Sequence, residues 1–300
     1  MKKVLCIGQS AYDITLPVEE FPIENRKVKI GNSKIECGGG SSNNVAYLLG
    51  LWGGNNVYLA SSTGNDIYAD KIVKELKSVN VSTKYFKVID GVETTTSYII
   101  CNVNKGTRTI ITNRDPNLKY PKDYKINLKP DYIFLDGNDP ELSKRILKQN
   151  PQAISVIDAG GMKEGTPELC KLVDYVVCSN DFARDYTGIT FDYHDVKTLT
   201  KVIEKMEKDF DAKVVITLEA AGCFTKLGTE YRIIPTTPNK ATDSTGAGDI
   251  FHGAFLYFLI RGDNLFDIVK YANIAGGLST MKIGSKNSIP TLNEVLKYKL

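Results

Sequence analysis

Histidine and tryptophan are scarce in this 300-residue chain, which holds two histidines and one tryptophan. The histidines, His194 and His252, are too few and too far apart to suggest a zinc site. The six cysteines show no CxxC spacing, and several stand inside apolar segments. That distribution is typical of reduced, buried thiols in a cytoplasmic protein, so we expect neither a zinc centre nor a disulfide scaffold.

Long apolar runs and a strong net charge are also missing. No segment approaches the roughly 20 apolar residues of a membrane span, and the apolar run near the N-terminus is only about five residues long, too short for a signal-peptide core. The 38 basic and 35 acidic residues give a net charge of +3, which creates no strong field for nucleic acid. We therefore expect a cytoplasmic protein without a nucleic-acid or membrane partner.

The composition that remains is that of a globular protein, with 42% apolar and 24% charged residues. Short runs of Val, Ile, Leu and Tyr alternate with helical patterns, as strands buried on both faces of a parallel sheet require. The predicted strands cover residues 4–8, 56–60, 132–135, 154–157, 175–178 and 214–218. The pattern predicts a doubly wound, mostly parallel α/β sheet in a single domain over residues 1–300.

Two segments break this alternation, residues 13–37 and 92–114. The second contains β-branched runs with no helix between them, and Asn104-Lys105-Gly106 resembles a hairpin loop. We predict that the two segments form a small antiparallel β lid inserted in the α/β core. An exposed face of such a sheet favours a homodimer formed through the lid.

The most informative segment is residues 243–249, Asp-Ser-Thr-Gly-Ala-Gly-Asp, directly before a long apolar helix. Gly246 and Gly248 permit close approach of the backbone to an anion, and the helix N-terminus supplies unpaired N–H groups. A carboxylate beside bound phosphate is explained if Asp249 takes a proton from the attacking group. The alternative from the residues alone is a tight turn with Asp249 as an N-cap.

A second glycine-rich segment, residues 38–46, also opens a helix but lacks the G-x-G-x-x-G spacing of a dinucleotide loop. Its glycines are followed by Ser and Asn, which are suited to sugar hydroxyls. Asp13 follows the first strand, where ligands bind in such sheets, and its carboxylate could accept two hydroxyl hydrogen bonds. A turn-capping role for Asp13 stays open. In the late helix, His252 is expected to be a hydrogen-bonded packing residue rather than a catalyst.

Taken together, these motifs resemble the PfkB family of ribokinase-like carbohydrate kinases over essentially the whole chain. The resemblance is carried by Gly8 with Asp13, by the segments 39–46, 64–66 and 243–249, and by Thr217 with Gly222. It implies ATP and Mg²⁺ as nucleotide and cofactor, with Asp249 as catalytic base and the backbone of Gly246, Ala247 and Gly248 as the anion hole. The implied sugar-binding residues are Asp13, Gly39, Gly40, Ser41 and Asn44. The implied nucleotide-binding residues are Thr217, Gly222 and Asn273.

Many members of the family hold a monovalent cation such as K⁺ beside the anion hole. The resemblance places its ligands at Asp243, Thr245, Ser279, Lys282, Gly284 and Ser288. One departure concerns magnesium, because the family's Asn-x-x-Glu motif is incomplete here. In one alignment Ser179 stands at the Asn position and Phe182 at the Glu position. Shifted by one residue, Asn180 matches the Asn but Ala183 replaces the Glu. The acid is missing in both alignments, so Asp181 or Asp185 would have to supply it. A second departure is Glu219, which stands where a glycine is frequent.

The resemblance implies an ATP-dependent kinase for a hydroxyl of a small carbohydrate such as ribose, fructose or a related keto sugar. Two alternatives stay open, a nucleoside or vitamin kinase of the same superfamily and a catalytically impaired sugar-binding regulator. Basic residues of the predicted lid are candidates for a substrate phosphate or acid group, or are solvated surface charges. They are Arg26, Lys27, Arg108 and Arg114.

Overall fold

The computed structural model describes residues 1–30 and 34–299. The strands are β1 (Lys3–Ile7), β2 (Ala11–Val18), β3 (Ile35–Gly39), β4 (Asn56–Gly64), β5 (Phe86–Ile89), β6 (Thr96–Asn102), β7 (Thr107–Asn113), β8 (Tyr132–Leu135), β9 (Ile154–Ala159), β10 (Tyr175–Ser179), β11 (Lys213–Thr217), β12 (Cys223–Leu227) and β13 (Glu230–Ile234). The helices are α1 (Ser41–Trp52), α2 (Ile67–Ser78), α3 (Pro140–Gln149), α4 (Thr166–Cys170), α5 (Asn180–Thr187), α6 (Val196–Phe210), α7 (Ala247–Arg261), α8 (Leu265–Ser279) and α9 (Leu292–Lys297).

A nine-stranded sheet organises the molecule, in the order β13-β12-β11-β10-β9-β8-β1-β4-β5. The strands from β11 to β5 pair in parallel, whereas β12 and β13 add an antiparallel edge. The six predicted buried strands all belong to the parallel part. Strand order reverses between β1 and β8, so the crevice at their carboxyl ends is the position where α/β sheets bind ligands.

The second sheet has the order β3-β2-β6-β7 and comes from the two segments that break the α/β pattern. The β2–β3 and β6–β7 pairs are antiparallel, but β2 and β6 are parallel. Parallel neighbours need a long crossover, and the chain supplies one because α1, β4, α2 and β5 lie between β2 and β6. The hairpin loop at Asn104-Lys105-Gly106 joins β6 to β7 as predicted. Residues 31–33 of the predicted lid segment lie outside the described residues.

Helices cover both faces of the large sheet. One face carries α1, α2, α7 and α8 around a core that includes Phe255 and Phe258, and the other carries α3, α5 and α6 around Phe182 and Phe210. α7 is apolar almost all round because it packs against α1 and α8 as well as the sheet. Across the described ranges, none of the helices is both long and apolar enough to cross a lipid bilayer.

All six cysteines are buried, which agrees with the expectation of buried thiols, and each is free in the structure. Three elements were not anticipated from the sequence, namely β5, α4 and α9. Each is short, with six residues or fewer, so no periodic pattern develops within it.

Candidate active site

Asp249 lies in the first turn of α7, directly after the turn that precedes the helix. Its Oδ2 accepts a hydrogen bond of 2.7 Å from Nδ2 of Asn44, which lies in the first turns of α1. The Oδ1 of Asn44 is buried and has no hydrogen-bond partner among the described residues. Two helix N-termini therefore converge, and they place a carboxylate beside a buried amide oxygen that lacks a hydrogen-bond donor.

The turn before Asp249 depends on glycine at position 246. Gly246 has φ of 75°, and a Cβ there would lie 2.7 Å from Cβ of Ser285. Gly248 is exposed, and a Cβ there would meet no heavy atom within 4 Å, so one side of the helix N-terminus is open. The N–H groups of the first turn of a helix have no intrahelical partners and can bind an anion. Here the N–H of Ala247 donates to the carbonyl oxygen of Ser244 at 3.3 Å, so it would have to leave that bond in order to bind a phosphoryl group.

Asp243 holds this turn in place. Its Oδ1 accepts hydrogen bonds from the backbone N and Oγ1 of Thr245, at 2.8 and 2.6 Å. Its Oδ2 accepts a bond of 2.9 Å from the backbone N of Gly284. With the carboxylate 1% exposed, these bonds satisfy both oxygens and join the anion turn to the loop after α8.

Asp13 reaches the same region from β2 of the second sheet. A Cβ on Gly39 would lie 2.1 Å from Oδ2 of Asp13, so the absence of a side chain there is what admits the carboxylate. Gly40 has φ of 92° and lies against the carbonyl oxygen of Gln9, and Ser41 begins α1. The structure therefore brings Asp13, Gly39, Gly40, Ser41, Asn44 and Asp249 together between the second sheet and the N-termini of α1 and α7.

The two carboxylates have perturbed proton affinities. Burial, followed by the negative charge of Asp249, raises the pKa of Asp13 to about 7, while Lys286, Ser97 and Ser285 act in the opposite direction. The pKa of Asp249 is also raised, first by burial and then by the charge of Asp158. Paired acids with raised pKa values in a cleft are typical of sites that exchange protons or bind hydroxyl groups.

The predicted nucleotide residues lie further along the carboxyl edge of the sheet. Thr217 ends β11 and donates a hydrogen bond from Oγ1 to the carbonyl of Cys178. Gly222 has φ of 99° and touches the carbonyl of Ile234, which a side chain would prevent. The Asn273 amide donates to the same carbonyl oxygen at 2.9 Å. Asn273 thus holds the end of β13 in place. Its side chain would affect a nucleotide pocket indirectly, by positioning that strand.

The predicted cation ligands surround the Asp243 turn. Ser279 and Ser288 are buried, and their hydroxyls donate to the backbone carbonyls of Gly276 and Ser285. Lys282 is exposed. Because the side-chain oxygens of Asp243 already accept N–H and O–H groups, a cation here would rely on main-chain carbonyl oxygens.

The incomplete Asn-x-x-Glu motif lies at the start of α5. Ser179 is the N-cap, while Phe182 and Ala183 are fully buried in the core and cannot approach a phosphate. Asp181 lies in the first turn, exposed and 3.7 Å from Arg184, and Asp185 lies one turn further from the sheet edge. Of the two predicted substitutes, Asp181 is thus closer to the carboxyl ends of the strands. Among the residues described, no group of three or more His, Cys, Asp or Glu side chains is arranged to hold a metal ion.

Glu219 adopts φ of 52° in the short turn after β11. A left-handed conformation is uncommon for a residue with a side chain, and it explains why glycine suits this position. The carboxylate points outward, since Glu219 is exposed.

Two acids of the site region were not identified from the sequence. Asp136, directly after β8, accepts hydrogen bonds from the backbone N of Gln9, Ser42 and Asn138 and so joins its own loop to the loop after β1 and to the first turn of α1. Asp158 is buried near the end of β9 beside His252. An acid within or directly after an apolar strand is the signal that could have found both.

The surface has two depressions, and they lie at opposite edges of the large sheet. A small cavity lined by Gly8, Ser10, Arg114 and Asn138 lies at the carboxyl ends of β1 and β8. An open depression of about 540 Å³ lies at the opposite edge, near Lys2 and Arg261, away from the acids described above. Only the first lies at the edge where such sheets bind ligands.

The fold is that of ribokinase-like proteins. A family model described as pfkB family carbohydrate kinase matches residues 1–292. The chain therefore belongs to the pfkB family of carbohydrate kinases, enzymes that phosphorylate a hydroxyl group with ATP.

Individual relatives agree with this assignment. The ribokinase of Bacillus subtilis (strain 168) is 25% identical over 308 residues, with 98% of each chain covered. The crystal structure of a ribokinase from Thermotoga maritima has a TM-score of 0.83 and 23% identity, covering 99% of this chain and 98% of the other. A ribokinase from Cryptococcus neoformans var. grubii serotype A, in complex with ADP, has a TM-score of 0.81 and 23% identity, with 99% of both chains covered.

Proposed function

We propose that this protein transfers the γ-phosphoryl group of ATP to a hydroxyl of a small sugar, with ribose the first candidate and fructose or a related keto sugar next. The observation that carries the proposal is the Asn44–Asp249 contact at the mouth of the anion turn. It holds a carboxylate of raised pKa where a sugar hydroxyl and a phosphoryl group would meet. The relatives named above, all ribokinases, support a pentose.

In this mechanism, Asp13 and Asn44 orient the sugar and Asp249 accepts the proton of the attacking hydroxyl. Phosphoryl transfer depends mainly on positioning and charge stabilisation, so a well-placed carboxylate is sufficient as base. The backbone N–H groups at residues 246–248 bind the transferring group, and the second sheet acts as a lid that excludes water.

Mg²⁺ supplies charge neutralisation to the ATP phosphates when bound. Asp181, the acid in the first turn of α5, would be the protein carboxylate closest to hand for holding such an ion. A monovalent cation such as K⁺ would lie between the Asp243 turn and the loop at Gly284, where Asp243 keeps the two segments together.

Substitution of Asp249 tests the proposal. Asp249→Ala should reduce turnover with D-ribose and ATP by a factor of about 10³ or more, because the proton acceptor is lost. ATP affinity should stay within a few fold, since the anion turn is unchanged. Asp209→Ala is the control, because Asp209 is exposed on α6, outside all of the candidate site residues, and should retain full turnover. Near-native turnover in Asp249→Ala would overturn the assigned role.

A nucleoside or vitamin kinase and an impaired sugar-binding regulator are the alternatives. A panel of ribose, fructose, 2-keto-3-deoxygluconate, adenosine and pyridoxal separates the substrate classes. If none of these compounds increases ATP consumption and ribose still binds measurably, the result would favour the regulator.

We also propose a homodimer formed through the second sheet. All of β7 is exposed, and Ile110 and Ile111 are 47% and 58% exposed there. Sedimentation should show a dimer at micromolar concentration, and Ile111→Lys should shift it to monomer. A monomer in the unmodified protein would contradict this part of the proposal.

A further inference from the structure

His252 makes more contacts than packing alone requires. It lies on α7 one turn after Asp249 and is 5% exposed. Its Nδ1 is 2.6 Å from the carbonyl oxygen of Gly248, and its Nε2 is 3.2 Å from the carbonyl oxygen of Val177 on β10. A carbonyl oxygen only accepts hydrogen bonds, so both contacts are favourable only when each ring nitrogen carries a proton.

Asp158 supplies the matching negative charge. Its Oδ1 is 3.5 Å from Nε2 of His252 and has no hydrogen-bond partner among the described residues. Asp158 is 7% exposed, and a buried carboxylate without hydrogen bonds is costly unless a positive charge lies beside it. The two side chains are complementary, because a doubly protonated imidazole donates to both carbonyl oxygens and places its positive charge beside the carboxylate.

We propose that His252 is an imidazolium ion paired with Asp158, and that this pair positions and tunes Asp249 as the base of the reaction. The catalytic part of this inference rests on the proposed function. His252 acts through the Gly248 carbonyl, which belongs to the peptide joining the anion turn to Asp249. Neither His252 nor Asp158 has to touch the substrate, so both are positioning residues.

The His252–Asp158 pair should have a measurable effect on the pKa of Asp249, because both charges act on that carboxylate. Asp158 comes from β9, His252 from α7 itself and Asp13 from β2, with Lys286 beside Asp13. Burial and then Asp158 raise the pKa of Asp249, whereas Asn44, His252 and Ser41 lower it. Loss of the imidazolium would leave the negative charge of Asp158 unopposed and should make Asp249 harder to deprotonate.

The protonation of His252 can be observed directly because the chain has only two histidines. In protein labelled with ¹⁵N-histidine, NMR at pH 7 should show both ring nitrogens of His252 protonated. Exposed His194 is the internal reference, and His194→Gln assigns the signals. An unprotonated ring nitrogen in His252 at pH 7 would overturn the ion pair. The protonation state is read from the unmodified protein without any turnover. Its result is therefore independent of whether the protein phosphorylates a sugar.

The effect on Asp249 is tested by the pH dependence of kcat/KM. His252→Asn retains an amide donor but removes the charge, and its acidic limb should move about one unit to higher pH. In the double variant His252→Asn/Asp158→Asn both charges are absent, and the limb should return toward that of the unmodified enzyme. A lower melting temperature with an unmoved limb in His252→Asn would show that His252 serves packing alone.

Discussion

At the scale of single residues, the site uses burial to change the proton affinity of its carboxylates. Asp13 is 7% exposed, and its pKa rises to about 7 because burial and the nearby Asp249 both disfavour its charge. An ionised carboxylate can accept hydroxyl hydrogen bonds with both oxygens. The burial that forms the candidate sugar site therefore lowers the stability of the folded protein when Asp13 is ionised. Residues of this kind are expected to limit stability in order to support binding.

This conflict predicts a pH-dependent gain of stability in Asp13→Asn. The folded-state pKa of Asp13 lies above its unfolded value, so its contribution to stability is fully present below about pH 4 and is lost as pH rises through about 7. An asparagine does not titrate. The variant should therefore gain on the order of 4 kcal/mol over the unmodified protein between pH 4 and pH 8.

Urea unfolding at several pH values measures this difference. Asp185→Asn on the exposed face of α5 is the control and should show no such trend. A difference between Asp13→Asn and the unmodified protein that stays constant from pH 4 to pH 8 would contradict the assignment of the raised pKa to Asp13.

At the scale of elements, the N-terminus of α7 contains two glycines that are needed for different reasons. Gly246 is required by its positive φ and by contact with Ser285, whereas Gly248 has ordinary helical backbone and open space beside it. The first glycine shapes the turn. The second leaves room for a ligand.

This distinction predicts opposite effects on stability for the two alanine variants. Gly246→Ala should lower the free energy of unfolding by about 1–3 kcal/mol, because it combines strain with a clash. Gly248→Ala should leave it unchanged or raise it by up to about 1 kcal/mol, since alanine favours the helix. Turnover should fall in both, in Gly248→Ala because the methyl group occupies the space of the phosphoryl group.

Thermal unfolding and steady-state kinetics on the same samples separate the two effects. Full turnover in Gly248→Ala would show that no phosphoryl group approaches this residue. A stable Gly246→Ala would show that the loop at Ser285 can move away, which the bonds from Asp243 to both segments should prevent.

Elements were predictable from the sequence wherever a local pattern determines them. The buried strands, the hairpin after β6 and the helix that begins at the anion turn follow from apolar runs and glycine positions. The parallel pairing of β2 with β6 was not predictable, because it depends on where the chain returns after the five elements β3, α1, β4, α2 and β5. The pairing of Asp158 with His252 was not predictable for a similar reason, since only the packing of α7 against β9 and β10 brings the two side chains together.

At the scale of the whole molecule, the candidate sugar and nucleotide sites lie on different parts of the fold. The sugar residues come from the second sheet and from α1, whereas Thr217 and Gly222 lie at the carboxyl end of β11 in the large sheet. Asp249 on α7 lies between the two groups. A ligand that binds only the folded state raises the free energy of unfolding. We therefore expect the sugar and the nucleotide each to stabilise the protein when the other is absent.

The two contributions can be separated by a thermal-shift experiment with four conditions: no ligand, D-ribose, Mg-ADP, and both together. In the unmodified protein, ribose at about 100 times its Kd should add about 2.7 kcal/mol to the free energy of unfolding. Asp13→Asn should lose the ribose shift and keep the ADP shift, because its altered group lies on β2, away from β11. Loss of both shifts, or retention of the ribose shift, would show that the sugar does not bind against the second sheet.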